Sequence, residues 1–175
     1  MFKIIPILFA FLFATSGQAE PPAGSVETSP PANAMAKENA SVLDLVIIGD
    51  AASERAHDLS AEQSESGRGA KYTWRDAAPN GAFSYVLVLP TTPKPTLICT
   101  YWGSDRDRTF DVVVNGVVVA TQTLDGRQLG QAIEVAYPLP PESLTGQQNL
   151  TVRFQGTGKG RAGGLLALRL EPTRP

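Results

Sequence analysis

An Asn-Gly pair between two β-branched runs is the feature that most restricts the fold of this chain. Residues 110–124 read FDVVVNGVVVATQTL, with Asn115-Gly116 between the valines. A two-residue type I′ turn needs positive φ at both central positions, and Asn-Gly is the pair that meets this need most readily. The sequence therefore predicts a β-hairpin with strands at 109–114 and 117–124.

The valines of this hairpin predict apolar side chains on both of its faces. The expected cross-strand pairs are Val114 with Val117, Val113 with Val118, and Val112 with Val119. One face can pack in a core, whereas the other needs a cover from a loop, from the edge of a second sheet, or from a partner. We expect the cover to come from the chain itself, and a partner surface is the alternative.

Further segments are rich in apolar, β-branched and aromatic residues, and several of them end at Gly or Pro, as strands do. They are residues 43–48, 72–74, 83–89, 96–102, 132–139, 149–154 and 165–170. Residues 51–66 are too polar to form an amphipathic helix with a buried face. About eight strands with turns every 8 to 15 residues predict an all-β fold, an antiparallel β-sandwich.

The N-terminal region predicts export. Met1–Ala19 has a positive charge at Lys3, an apolar run too short to span a bilayer, and small residues before a cleavage site after Ala19. We read it as a signal peptide, with no membrane span after cleavage and a periplasmic or secreted product. Residues 20–41 are rich in proline and poor in large apolar side chains, which predicts a disordered tether. Residues 42–173 then form one domain.

Composition argues against several classes of function. The formal net charge of −2 gives no basic footprint for nucleic acid. His57 is the only histidine and Cys99 the only cysteine, so a multi-histidine or thiolate metal site is excluded, and we predict no metal and no cofactor. Cys99 lies in an apolar run and is expected to be buried.

Catalytic patterns are weak. Ser53, His57 and Asp58 have the residue types of a Ser-His-Asp catalytic triad. Ser53 lacks the Gly-x-Ser-x-Gly signature of the strand-turn-helix that presents a nucleophilic serine. Glycoside hydrolysis needs two carboxyl groups at a fixed separation, and the acids near the aromatic residues, such as Asp76 and Asp105, do not demonstrate one. We predict a protein that is not an enzyme and retain a small glycosidase as a minor alternative.

Aromatic and charged residues cluster in two strand-like segments, around YTWRDA and CTYWGSDRDR. Flat rings stack on sugars, while Asp and Arg make charge-assisted bonds to hydroxyl groups. The predicted ligand-binding residues are Trp74, Arg75, Tyr101, Trp102, Asp105 and Arg106. The alternative is structural: a tryptophan buried in the core, an internal Arg75 ion pair, and solvated turn charges.

From Ser53 to Leu170 the chain resembles a domain of unknown function, the C-terminal β-sandwich accessory domain of bacterial β-L-arabinofuranosidase-type glycoside hydrolases. The matching pieces are SERAHDLSAEQSESGRG, YTWRDA, GAFSYVLVL, CTYWGSDRDRTFDVVVNGVVVATQTLDG, EVAYPLPPESLTG, LTVRFQG and AGGLLALRL. The resemblance implies a jelly-roll-like sandwich, as in carbohydrate-binding modules, and an ordered loop at 53–67 in which His57 makes scaffolding hydrogen bonds. The catalytic parts of that family have no counterpart here.

These observations lead to two principal hypotheses. The first is a non-catalytic carbohydrate-binding module, with arabinose-containing glycans as candidate ligands. The second is a structural or interaction module that docks to a glycosidase partner or associates with itself, which the doubly apolar hairpin suggests. The oligomeric state is left open by the sequence.

Overall fold

The computed structural model describes residues 42–70, 72–91 and 94–173. They contain nine strands and two short helices: β1 Asp44–Ile47, α1 Ala51–Ala56, β2 Ser60–Arg68, β3 Thr73–Val88, β4 Pro95–Trp102, β5 Arg108–Val114, β6 Val117–Leu124, β7 Ala132–Pro138, α2 Pro141–Leu144, β8 Asn149–Gly156 and β9 Ala162–Pro172. The predicted signal peptide (Met1–Ala19) and tether (20–41) lie outside the described residues.

The strands form an antiparallel sheet that folds over into two layers. The hydrogen-bonded order is β6-β5-β8-β3-β9-β4-β7, with β1 on β9 and β2 on β3. Strand β3 joins the layers, because Arg75–Ala77 pair with β9 whereas Ala82–Val88 pair with β8. The predicted fold class, an all-β, jelly-roll-like antiparallel sandwich, is confirmed.

The core lies between the layers and follows from the two-residue period of a strand. In β5, Phe110, Val112 and Val114 are buried while the residues between them are only partly covered. The rings of Phe110 and Tyr101 meet across the layers with centroids 5.7 Å apart. Cys99 is fully buried, as predicted, and burial raises the pKa of its thiol to about 12.

The predicted hairpin is confirmed, with one correction to its register. Asn115 and Gly116 both have positive φ, as a type I′ turn requires. Val113 opposes Val118 as expected, but a bulge then places Val112 opposite Ala120 instead of Val119. Val118 remains 57% exposed, so the expected cover from within the chain is wrong at this position.

Gly116→Ala should lower the free energy of unfolding by about 1–2 kcal/mol, the usual cost of a side chain in the left-handed region. A Cβ on Gly116 would meet no atom within 4 Å, so the cost is purely conformational. Urea denaturation measures it. Gly69→Ala is the matched control, since Gly69 lacks positive φ and its nearest atom would be 3.6 Å away. Equal stabilities of the two variants would contradict this explanation.

Residues 53–67 were wrongly expected to form an ordered loop. They form α1 and the edge strand β2, which pairs with β3 along most of its length. Strand β3 continues through residues 78–81, and Asn80 takes positive φ within the strand. Strand β2 matters for the cavity described next, because its Gly67 pairs with the cavity-lining Trp74 on β3.

Candidate functional site

A cavity of about 560 Å³ opens at one end of the sandwich, near the start of β3 and the end of β4. This volume falls within the usual range for small-molecule sites. Its wall combines aromatic rings, one acid, one arginine and several glycines. The lining residues are Gly69, Ala70, Tyr72, Trp74, Trp102, Asp105, Arg108, Gly130, Gly164 and Leu166.

Three aromatic side chains form the apolar part of the wall. The rings of Tyr72 and Trp102 lie 5.4 Å apart with their planes tilted by 49°. Trp74 packs over the backbone of Gly67, its cross-strand partner on β2, where a Cβ would collide with the indole. Trp74 and Trp102 are both half-buried. Of the two interpretations left open by the sequence, a cavity wall describes both tryptophans better than a core position.

Asp105 places a carboxylate on the same wall. It follows the turn after β4, and its Oδ2 lies 3.0 Å from Arg108 Nε. Gly164 has positive φ and makes room for this carboxylate, since a Cβ there would collide with Asp105 Oδ2. Burial raises the pKa of Asp105, although Arg108 opposes the shift. The carboxylate is therefore held in a partly desolvated position beside the aromatic rings.

Arg108 connects the cavity wall to a buried acid beneath it. Its guanidinium donates to Asp76 Oδ2 at 2.9 Å, and Asp76 is only 3% exposed. Arg161 donates to the other oxygen of Asp76 at 2.7 Å and also faces Glu65. Arg108 is thus fixed between two carboxylates, which immobilises the floor of the cavity.

Arg75 was predicted as a ligand-binding residue, but the structure places it away from the cavity. It is 6% exposed, and its Nε and NH2 groups donate to the two oxygens of Glu54 on α1, at 3.0 and 2.9 Å. Tyr85 Oη donates to the same carboxylate at 2.7 Å. This is the structural ion pair considered as the alternative for Arg75, with Glu54 as its partner.

Tyr101 and Arg106 also lie away from the cavity. Tyr101 precedes Trp102 on β4, so the two side chains point to opposite faces. Tyr101 is fully buried, and its hydroxyl lies 3.1 Å from the hydroxyl of Tyr137. Arg106 is exposed and lies against Gly126. Trp74, Trp102 and Asp105 are therefore the predicted residues that the structure brings together.

His57 acts within the scaffold. Its Nδ1 lies 2.7 Å from the carbonyl oxygen of Ser53, and its Nε2 lies 3.1 Å from Asp44 Oδ1. Asp44 in turn accepts from the amide of Val88. These contacts connect α1 to β1 and β3, and His57 is not among the cavity-lining residues.

Sequence reasoning missed the small and apolar parts of the wall. Gly69, Ala70 and Gly130 come from connections between strands, and Leu166 comes from β9. A glycine that favours a turn gives no signal that it also borders a ligand site, so these residues could be found only from the fold.

Within residues 42–70, 72–91 and 94–173, no group of three or more His, Cys, Asp or Glu side chains could hold a metal ion. The helices described there are also too short or too polar to cross a bilayer.

Comparisons with known proteins agree with the fold. The model of a family of unknown function (DUF6805) matches residues 38–171. A family 35 carbohydrate binding module from an environmental isolate is 17% identical over 70% of this chain and 96% of its own, with a TM-score of 0.50. An exo-β-1,3-galactanase of Phanerochaete chrysosporium, solved with galactose, is 15% identical over 67% of this chain and 28% of its own, with a TM-score of 0.50. No curated protein matches. At these identities the likeness shows the fold.

Proposed function

The chain belongs to the family of unknown function DUF6805, and from this premise we propose that its sandwich is a non-catalytic carbohydrate-binding module. One observation carries the proposal: Tyr72, Trp74, Trp102 and the carboxylate of Asp105 line the same cavity. Aromatic walls with a few convergent polar groups are the usual composition of small-molecule sites.

Binding would divide between the apolar and polar parts of the wall. The C–H face of a sugar would stack on the indole of Trp102 or Trp74, which removes both surfaces from water. Asp105 would accept hydrogen bonds from sugar hydroxyl groups, because the described residues give its Oδ1 no hydrogen-bond partner. A hydrogen bond to a charged group contributes about 1.5–3 kcal/mol.

The composition of the wall also supports binding without hydrolysis. Glycoside hydrolysis uses two carboxyl groups that flank the bond. Among the described residues, Asp105 is the acid that lines the cavity. The nearby Asp76 accepts hydrogen bonds from Arg108 and Arg161 on its two carboxylate oxygens. We therefore rank a small glycosidase below a binding module.

The finer parts of the proposal come from the sequence. We propose arabinose-containing glycans as ligands and an accessory role beside a glycoside hydrolase, on the resemblance of the sequence motifs to the arabinofuranosidase accessory domain. Export with cleavage after Ala19, and a tether at residues 20–41 ahead of the domain at 42–173, are proposed on the form of the N-terminal segment.

Tryptophan fluorescence tests the function directly, because the chain contains two tryptophans and both line the cavity. The protein would be titrated with L-arabinose, arabinan, arabinoxylan, galactan and xylan. A saturable change with any of them supports the module, and a preference for the arabinose-containing members supports the finer proposal. A flat signal across the panel, with no binding by calorimetry, would count against both.

The second candidate function is protein docking or self-association through the hairpin. Val118 is 57% exposed beside the partly covered Val113, which leaves apolar surface on the outer face. Sedimentation velocity over a wide concentration range tests self-association, and Val118→Lys is the disrupting variant. A monomer at every concentration, together with no capture of a glycoside hydrolase, would remove this candidate.

A further inference from the structure

The arrangement of the aromatic rings carries information about the ligand. The rings of Tyr72 and Trp102 contact each other with centroids 5.4 Å apart and planes tilted by 49°, so the two together do not form one flat platform. Trp74 adds a third ring to the same cavity. A cation is attracted to the face of an aromatic ring that it contacts, and these three rings border the same cavity.

The charged side chains of the wall also favour a cationic ligand. Arg108 is the only cation among the cavity-lining residues described, and it is held by Asp105 on one side and Asp76 on the other. Asp76 also forms an ion pair with Arg161, which in turn pairs with Glu65. Three carboxylates thus share two guanidinium groups. Among these described side chains the carboxylates outnumber the guanidinium groups by one, and Asp105 is the carboxylate that reaches the cavity surface.

A cationic ligand group would form an ion pair with the carboxylate of Asp105. This side chain is only 20% exposed, and the described residues provide a partner for Oδ2 and none for Oδ1. Arg108 already pairs with Oδ2, so Oδ1 is the oxygen that remains available to a ligand. An ammonium group would supply both a hydrogen-bond donor and a charge opposite to that of Asp105, whereas a sugar hydroxyl supplies a donor alone.

We propose that this cavity recognises a protonated amine, so that glycans containing a free amino sugar bind better than their neutral or N-acetylated counterparts. The inference rests on the proposed binding module, and for the same site it names a preferred ligand different from the arabinose-containing glycans proposed from the sequence motifs. The amine would lie against the ring of Trp102 or Tyr72 and form an ion pair with Asp105, while the rest of the sugar would contact Trp74.

Matched oligosaccharides test the charge of the ligand. Isothermal titration calorimetry of the full chain would compare tetramers of glucosamine, N-acetylglucosamine and glucose at a pH at which the amine is protonated. These ligands share a backbone and differ at one substituent. We expect the free amine to bind at least about tenfold more tightly than the other two, as cation–π attraction in a desolvated site allows.

Asp105→Asn identifies the residue responsible. The variant keeps the shape of the side chain and removes its charge, so the preference for the free amine should disappear. Asp125→Asn is the control, because Asp125 forms an ion pair with Arg127 on the exposed surface, and it should keep the preference. The comparison of the three tetramers on the unmodified protein stands even if Asp105→Asn fails to fold.

The outcomes separate this inference from the proposed function. Equal affinity for the three tetramers, or a preference for a neutral glycan, would overturn the inference and leave the module intact. No binding of any tetramer or of the arabinose-containing panel would overturn both. A tenfold preference that survives in Asp105→Asn would overturn the assigned mode of recognition.

Discussion

Trp102→Ala should weaken glycan binding by at least about thirtyfold while the sandwich stays folded. Truncation of a central tryptophan in a binding site typically costs about 2 kcal/mol or more, which corresponds to that factor. Trp102 is half-buried, lines the cavity and contacts the ring of Tyr72. Calorimetric titration with the best ligand of the panel measures the loss.

Two further variants make this result interpretable. Trp102→Phe retains an aromatic face and should recover part of the affinity. Val88→Ala removes a 66% exposed apolar side chain at the far end of β3 and should leave the affinity unchanged. Near-ultraviolet circular dichroism checks the fold of each variant. Unchanged affinity in a folded Trp102→Ala protein would remove the ring from the site.

Glu54→Ala should lower the free energy of unfolding by about 3–5 kcal/mol, the cost of leaving one partner of a buried ion pair unpaired. Arg75 would lose both hydrogen bonds to the carboxylate, and Tyr85 would lose its acceptor. Arg75 and Glu54 are each 6% exposed, so water cannot replace these bonds without rearrangement. Urea denaturation measures the change.

The control is an ion pair in solvent. Glu62 faces Arg153 at 3.4 Å, with side chains 69% and 38% exposed. Glu62→Ala should cost about 0–1 kcal/mol, because solvent screens exposed pairs. Similar losses for Glu54→Ala and Glu62→Ala would contradict the role assigned to the buried pair.

The buried pair also predicts how stability depends on pH. Burial opposes the charge of Glu54, but hydrogen bonds from Arg75 and Tyr85 outweigh it and hold the pKa of Glu54 below its ordinary value. A lowered pKa contributes stability that is present above the unfolded value, about 4.3, and is lost as pH falls through the folded value. Glu54→Gln should therefore lose less stability than the natural protein over this acidic range. Parallel acid dependence of the two proteins would argue against this assignment.

The sandwich was largely predictable because its strands carry local signals. Asn115-Gly116 predicts a turn without reference to the rest of the chain, and alternation in β5 marks its buried face. Strand β2 gave no such signal. Its sequence SAEQSESGR is polar throughout and mostly exposed, and it is held by pairing with β3 instead of by apolar burial.

The candidate site was predictable in part, and the errors have a common cause. Tyr101 and Trp102 are neighbours in the sequence, but only the register of β4 decides which of them faces the core. Arg75 and Arg108 are both arginines near aromatic residues, yet Arg75 meets Glu54 from α1 while Arg108 meets Asp105 and Asp76. The sequence does not show which acid each arginine pairs with, because the fold brings these partners together.

The most direct test of the cavity as a glycan site is a nuclear magnetic resonance titration that observes the indole N–H groups. The chain has two tryptophans, so two indole signals are expected, and Trp74→Phe and Trp102→Phe assign them. We predict that both signals shift saturably with a glycan of the tested panels and with one dissociation constant, while the amide of the exposed Val118 stays in place. Indole signals that stay fixed with every glycan, or shifts confined to the Val118 hairpin, would contradict the account.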